Sequence, residues 1–195
     1  VYEGEIQCVG LGLDVVALDE DGQELVSEKG ELVCRRPFPA MPVAFWNDPD
    51  GDKYRDAYFA EYPGMWRHGD FVEITARGTV IIYGRSDATL KPSGVRIGTA
   101  EIYRPLQGFP WIAGAVASAV VRAQGDEIVL FVQLAAGENL TDVRIDKIRA
   151  TIRREASPRH VPHRVMAVSD IPRTRNGKVA EAAVARMLRG DSADN

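Results

Sequence analysis

The chain has 195 residues, of which 45% are hydrophobic and 27% are charged, a composition typical of globular proteins and not of disordered ones. Its formal net charge of −4 argues against a general nucleic-acid binder, since such proteins are usually strongly basic. The apolar runs are too short for a membrane-spanning helix, which needs about 20 residues. We therefore expect neither a nucleic-acid partner nor a membrane partner.

The beginning of the chain and its cysteines bear on its location. Val1 stands first instead of Met, and no basic and then apolar leader follows it, so we expect no signal peptide in this piece and a true start that lies outside it. Cys8 and Cys34 lie far apart, with no His or Cys at metal-binding spacing. We interpret them as free thiols in a reducing compartment, which predicts a cytoplasmic protein. A disulfide between them is the less favoured alternative.

The first part of the chain is predicted to be rich in β-strands. A proline-rich stretch between the strands suits neither a central strand nor the interior of a helix. A short helix is predicted over 53–61, and Ala76-Arg77-Gly78 predicts a hairpin between the last two strands. The predicted strands are 5–9, 13–18, 30–35, 66–73 and 79–83.

Strands and helices alternate in the second part, beyond a segment dense in charge and glycine at 84–96. The predicted strands are 115–122, 128–134 and 165–168, and the predicted helices are 99–106 with Thr99 as its N-cap, 141–155 and 179–188. In the helix over 141–155, apolar spacing predicts that Val143, Ile145, Ile148 and Ile152 lie mostly on one face. The fold class is therefore predicted to be α+β, with a β-rich part over 1–86, a small α/β domain over 87–195 and a disordered tail from about 189.

The segment Trp66-Arg67-His68-Gly69-Asp70 is the first candidate for chemistry. A carboxylate such as that of Asp70, beside a glycine at the end of a strand, can accept hydrogen bonds from two sugar hydroxyls at once. The alternative is an ordinary aspartate of a hairpin. His68 can titrate near neutral pH, but a lone histidine is more often structural or merely exposed.

Two further clusters are rich in cations. The segment 84–96 carries Arg85, Arg96 and Asp87 between glycines; guanidinium groups suit phosphate recognition, and glycine lets the backbone approach a ligand or swing. The alternative there is a solvated linker. The segment 171–178 ends in Asn176-Gly177-Lys178, so Lys178 can deliver a positive charge to a phosphate. The alternative is a basic surface turn.

Together these clusters resemble the adenylate-forming enzymes, the family of the acyl-CoA synthetases, firefly luciferases and non-ribosomal adenylation domains. The match covers the chain except its tail. The aromatic-x-x-Gly-Asp pattern is met at 66–70, with His68 where Thr is usual, and Gly-Arg-x-Asp-x-x-x-Lys-x-x-Gly-x-Arg is met in full at 84–96. Pro-[Lys/Arg]-Thr-x-[Ser/Asn]-Gly-Lys is met at 172–178, and Gly30-Glu31-Leu32 with 45–49 resembles a fourth family segment.

Within the family, three stretches resemble the acetoacetyl-CoA synthetases: 82–90, 94–104 and 158–162. Lys91 departs from that group, where we expect Asn. The resemblance implies an acid–CoA ligase that joins acetoacetate and CoA at the expense of ATP, by way of an acyl-adenylate, and releases AMP and pyrophosphate. A ligase of acetate or another short-chain acid is an open alternative.

The resemblance also implies roles for single residues. Asp70 binds the ribose hydroxyls with support from Arg85, and Arg96 faces the phosphates of ATP. Lys178 is the catalytic lysine of adenylation. Asp87 is the hinge about which the small domain moves, and the loop at Gly94 then reaches the pantetheine channel of CoA.

Parts of the family's active site are absent from this sequence. Its Ser/Thr/Gly-rich phosphate loop, its Tyr-Gly-x-Thr-Glu segment, which helps to hold adenine and Mg²⁺, and an acyl pocket have no match here. We therefore expect no metal ligand in this chain, no appreciable activity of the chain alone, and a missing N-terminal portion of the same polypeptide as its partner. The alternative from another class is a stand-alone domain that binds a nucleotide or a partner protein.

Overall fold

The computed structural model describes residues 1–92, 95–120, 122 and 126–190. The chain folds into two compact units, Val1–Asp87 and Ala88–Asn195. The boundary between them comes after Asp87, beside the division that the sequence predicts between 86 and 87. Both units combine strands with helices, as the α+β prediction requires, and that prediction is confirmed. Of the tail predicted from about 189, Arg189 ends a helix and residues 191–195 lie outside the described residues.

The first unit contains a five-stranded antiparallel sheet in the order β2-β1-β3-β4-β5. Since successive side chains of a strand point to opposite faces, Val16 and Leu18 pack on one face with Val33, while Ala17 packs on the other with Val72. One helix, α1 (Asp52–Tyr58), precedes β4. The strands are β1 (Val15–Leu18), β2 (Glu24–Leu25), β3 (Lys29–Cys34), β4 (Trp66–Ile74) and β5 (Val80–Arg85).

The predicted elements of the first unit differ from the structure mainly at its beginning. The strand predicted over 5–9 is reduced to one bridge between Ile6 and Val80, because the Gln7 side chain bonds back to the carbonyls of Tyr2 and Glu5 and turns the segment on itself. The two-residue strand β2 was not predicted. It pairs with the end of β1 across a turn in which Asp19 accepts hydrogen bonds from two following amides.

The second unit contains a three-stranded sheet in the order β6-β7-β8, with β6 and β7 antiparallel and β7 and β8 parallel. Parallel neighbours need a crossover, and the helix α3 supplies it. The core packs α3 against β7 and the α2 region. The elements are α2 (Thr99–Tyr103), β6 (Ile112–Val120), β7 (Glu127–Leu134), α3 (Asp142–Glu155), β8 (Arg164–Val168) and α4 (Glu181–Arg189), with 3₁₀ segments at Arg104–Gly108 and Pro158–His160.

The structure shows which apolar residues of α3 are buried, and it corrects the predicted cap of α2. Val143 is 77% exposed, whereas Ile148 and Ile152 are fully buried, because Val143 lies about 140° around the helix from Ile148. Thr99 is the first residue of α2 and not its cap. The cap is Gly98, whose amide donates to the Glu101 carboxylate at 3.1 Å. By contrast, Thr141 caps α3, and its hydroxyl accepts from the Arg144 amide.

Cys8 is exposed, Cys34 is buried, and both are free thiols, so the prediction of free thiols is confirmed and the disulfide alternative is wrong. Among the described residues, no helix combines the length and apolar character needed to cross a membrane.

The contrast between Val143 and Ile148 provides a test of this packing. Ile148→Ala leaves a cavity between α3 and the sheet, and we expect it to lower the free energy of unfolding of the second unit by about 2–5 kcal/mol. Val143→Ala, on the same helix but in solvent, is the matched control and should change it by less than about 0.5 kcal/mol. Urea unfolding measures both. Equal losses in the two variants would contradict the assigned buried face.

Candidate functional site

The β4–β5 hairpin brings together Asp70 and Arg85, which stand opposite each other in the strand register. The Asp70 side chain is only 16% exposed, and its Oδ1 lies 3.6 Å from Nη1 of Arg85. Its other oxygen, Oδ2, lies 2.7 Å from Nδ1 of His68. Each oxygen of this carboxylate therefore faces a nitrogen-bearing side chain, while part of the group remains accessible to a ligand.

The Arg85 guanidinium also reaches Asp87. Its Nε lies 3.5 Å from Oδ1 of Asp87, and its Nη1 donates a hydrogen bond to the carbonyl oxygen of His68 at 3.3 Å. Asp87 lies in the short 3₁₀ segment that follows β5 and is the last residue of the first unit. The structure thus groups three of the predicted site residues, Asp70, Arg85 and Asp87, around a single guanidinium.

Gly69 makes this arrangement possible. Its φ is +84°, and a Cβ at this position would lie 2.8 Å from Nη2 of Arg85, so any side chain here would displace the guanidinium. Between the pairs Glu31–Phe71 and Val33–Arg67, residues 68–70 of β4 stand opposite the single residue Leu32 of β3. This bulge bends β4, and it is where His68 and Asp70 meet.

Trp66, the first residue of β4, packs against two other aromatic rings. Its ring stacks on Tyr58 with 4.9 Å between centroids and meets the His68 ring edge-on at 5.1 Å. His68 is thus held between the indole ring and the Asp70 carboxylate. The contact with Asp70 favours the structural interpretation of His68.

Glu31 also belongs to this region, and sequence reasoning assigned it no role beyond its place in a motif. It is only 1% exposed, and its Oε1 accepts a hydrogen bond from the Gly69 amide at 3.0 Å. The same oxygen lies 3.3 Å from Nε of Arg67. One signal was present in the sequence: Glu31 stands two residues before Val33 in a strand, so the two share a face, and Val33 is a core residue.

In the second unit, Lys178 lies on a closed loop. Arg173 and Val179 form a bridge, the Thr174 amide donates to the carbonyl oxygen of Lys178 at 2.8 Å, and the Gly177 amide donates to Thr174 at the same distance. The side chain of Lys178 is exposed. The backbone of the loop is therefore ordered while its lysine stays in solvent.

The helix after this loop begins at Glu181 and not, as predicted, at Val179. The Ala180 amide donates to the carbonyl oxygen of Pro172 at 2.9 Å, which keeps Val179 and Ala180 in the loop. Tyr103 anchors the first turn: its hydroxyl accepts from the Ala117 amide at 2.9 Å and donates to Oε1 of Glu181 at 2.5 Å. Burial, followed by the charge of Glu181, raises the pKa of Tyr103, so the hydroxyl keeps its proton and donates.

Arg96, the other predicted phosphate ligand, also belongs to the second unit. Its Nε donates to the Thr89 hydroxyl at 3.1 Å, next to the backbone bridge between Leu90 and Ile97. Gly94, predicted to reach the CoA channel, lies outside the described residues. Among the residues that the structure describes, no group of three or more His, Cys, Asp and Glu side chains is placed to hold a metal ion.

Comparison with known proteins finds relatives that are similar to the whole chain. Residues 111–178 match the AMP-binding enzyme C-terminal domain. The chain is 51% identical over 195 residues to the acetoacetyl-coenzyme A synthetase of Rhizobium meliloti (strain 1021), covering all of this chain and 30% of that protein. It is 42% identical over 197 residues to the acetoacetyl-CoA synthetase of Rattus norvegicus, covering all of this chain and 29% of that protein.

A solved structure gives the same result. The chain superposes on the acetoacetyl-CoA synthetase from Streptomyces lividans with a TM-score of 0.93 and 46% identity, over 100% of this chain and 29% of that one. The chain therefore spans about 30% of the length of the curated relatives that it matches.

The close approach of Arg85 to Gly69 can be tested with two glycines of similar conformation. Gly69→Ala and Gly78→Ala both place a side chain at a positive φ, of +84° and +78°, but nothing lies within 4 Å of a Cβ at Gly78. Both should lose about 1–2 kcal/mol of stability through backbone strain. Only Gly69→Ala should shift the NMR signal of the Arg85 side-chain Nε–H. An unchanged signal in Gly69→Ala would show that the guanidinium does not lie over this glycine.

Proposed function

We propose that the chain is the carboxyl-terminal part of an adenylate-forming acyl-CoA synthetase. In this role it serves an ATP-dependent acid–CoA ligase. The reaction joins acetoacetate and CoA to acetoacetyl-CoA by way of an acyl-adenylate, with AMP and pyrophosphate as the other products. The observation that carries the proposal is the grouping of Asp70, Arg85 and Asp87 around one guanidinium. Acetoacetate is proposed as the acid because the relatives that the chain matches are named acetoacetyl-CoA synthetases.

Asp70 is the group proposed to bind the ribose of ATP. A carboxylate accepts hydrogen bonds from two neighbouring hydroxyls, and charge-assisted bonds of this kind are the strong ones. Asp70 is mostly shielded from water, which strengthens such bonds, and Arg85 offsets the cost of holding its charge there. Arg85 in turn supports the ribose from its position across the hairpin.

Lys178 is the group proposed to act in adenylation. Negative charge builds on the attacking carboxylate oxygen and on the bridging oxygen of the α-phosphate, and a cation fixed near them stabilises the transition state. The exposed lysine on an ordered loop is suited to this role, because its ammonium group is available to a substrate. Arg96 is proposed to face the phosphates in the same step.

Asp87 is the proposed hinge. The first unit ends at this residue, so a change of its backbone angles moves the whole second unit. Such a movement would withdraw Lys178 after adenylation and bring the loop at Gly94 to the thiol-bearing arm of CoA. The two half-reactions then use the same unit in two positions.

The remaining parts are proposed to lie in the portion of the polypeptide that precedes the chain. They are the phosphate loop and the acyl pocket, which have no match in the sequence, and the ligands of Mg²⁺. Among the described residues, no group of three or more His, Cys, Asp and Glu side chains is placed to hold that ion. The substrates are a short-chain acid, ATP and CoA, and the proposed location is the cytoplasm.

A hybrid enzyme tests the proposal. This chain replaces the 195 aligned residues of the Rhizobium meliloti synthetase, and acetoacetate-dependent exchange of pyrophosphate into ATP is measured. We expect exchange by the hybrid and none by the 195-residue chain alone, since the chain lacks the phosphate loop. Exchange by the chain alone, or a folded but inactive hybrid, would contradict the proposal.

Lys178 is tested in the same hybrid. Lys178→Ala should slow adenylation by about 100-fold or more, the usual effect of removing one preorganised charge-stabilising group. Thioester formation from supplied acyl-adenylate should be unaffected, since the proposed role ends with the first step. Arg175→Ala removes a neighbouring exposed charge of the same loop and is the control, with both rates kept. Equal loss of both half-reactions in Lys178→Ala would contradict the role.

A further inference from the structure

Glu31 is a buried acid that the proposed function does not use. It lies on β3, which pairs with the bulged strand β4, and it is almost completely shielded from water. Carboxylates are rarely buried unless a specific contact holds them. The contact here is with the backbone of the segment that carries Asp70, since Oε1 accepts from the Gly69 amide at 3.0 Å.

The Gly69 amide and the His68 carbonyl belong to one peptide group. Glu31 holds the N–H end of this group, and Arg85 donates to the carbonyl end at 3.3 Å. The planar peptide group therefore links the buried carboxylate to the guanidinium that lies beside Asp70. Glu31 and Arg85 do not touch, yet each depends on the direction in which this peptide points.

Glycine makes the link necessary. At φ +84°, Gly69 occupies a region that only glycine adopts freely, and glycine also adopts the alternatives at little cost. Without a partner for its N–H, the His68–Gly69 peptide is free to rotate and to turn its carbonyl away from Arg85. The hydrogen bond that Glu31 accepts from the Gly69 amide opposes this rotation, because turning the peptide would break it.

We propose that Glu31 is a positioning residue of the nucleotide site, which fixes the His68–Gly69 peptide and thereby holds Arg85 beside Asp70 for recognition of the ribose hydroxyls. The inference rests on the ribose role proposed above for Asp70 and Arg85. The competing view is that Glu31 only forms an ion pair with Arg67, which lies 3.3 Å from the same oxygen and 3.1 Å from Glu61.

Two conservative variants separate these views. Glu31→Gln keeps the length of the side chain and an acceptor oxygen for the Gly69 amide but loses the charge. Glu31→Asp keeps the charge but is one methylene too short to reach the amide. If the hydrogen bond matters, Gln retains the function and Asp loses it. If the charge opposite Arg67 matters, the order is reversed.

The first readout is the preference of the hybrid enzyme for ATP over 2′-deoxy-ATP, measured as the ratio of kcat/KM in adenylation. We expect Glu31→Asp to lower this ratio about tenfold or more, because one charge-assisted hydrogen bond to the ribose hydroxyl is lost. Glu31→Gln should retain the ratio. Retention in Glu31→Asp, loss in Glu31→Gln, or equal loss for the two nucleotides overturns the proposal. So does a Glu31→Gln protein that fails to fold, since the ion pair is then the essential contact.

The second readout uses the 195-residue chain and needs no catalysis. The NMR signal of the Arg85 Nε–H should move in Glu31→Asp and stay in place in Glu31→Gln; an unmoved signal in Glu31→Asp overturns the proposal. Failure of the ribose role itself is recognised separately. In that case the unmodified hybrid does not distinguish ATP from 2′-deoxy-ATP, or Asp70→Asn leaves the distinction intact, whatever the Arg85 signal shows.

Discussion

The guanidinium of Arg85 is the point on which the candidate site depends. It lies across the β4–β5 hairpin from Asp70, reaches Asp87 with its Nε and bonds to the carbonyl of His68. Two carboxylates and one carbonyl converge on it, so the partly buried charge of Asp70 is balanced within the first unit. This arrangement requires a residue without a Cβ beneath the guanidinium, and Gly69 meets that requirement together with the positive φ that bends β4.

The two candidate cations are held in different ways. Arg85 is fixed by ionic contacts with side chains of its own hairpin, whereas Lys178 is placed by the backbone of a closed loop and by the helix behind it. That helix begins without a side-chain cap, and the bond between Tyr103 and Glu181 fixes its first turn instead. A residue in α2 therefore stabilises the base of the loop that carries the lysine.

Local patterns predicted most of the fold. The helix α3 follows from its N-cap Thr141 and the spacing of Ile148 and Ile152, and the hairpin between β4 and β5 follows from a short turn between apolar alternations. The start of α4 did not follow, because the bond from the Ala180 amide to Pro172 is a tertiary contact. The strand predicted at 5–9 failed for a different reason, since local bonds of the Gln7 side chain turn the segment on itself and leave a single bridge to β5.

The same distinction applies to the site. Asp70, Arg85 and Asp87 were found from motifs, whose spacing is a property of the sequence, but the motifs did not show that one guanidinium joins them. Glu31 escaped functional assignment because its partner, the Gly69 amide, is a backbone group that carries no signature in the sequence. The Glu31 side chain and the Gly69 amide meet only through the register of β3 against the bulged β4. The alternation of apolar and polar residues along a strand does not reveal such a bulge.

Solvation accounts for the different settings of Asp70 and Lys178. A carboxylate that is 16% exposed has lost much of its hydration, and its two oxygens already face Arg85 and His68 before any ligand arrives. An exposed lysine keeps its hydration and needs no partner in its own unit. Under the proposed function, the nucleotide meets a preorganised carboxylate, while desolvation of the lysine is deferred to the adenylation step. A charge that must later be withdrawn is better left hydrated than paired, because no ion pair then has to be broken when the loop leaves.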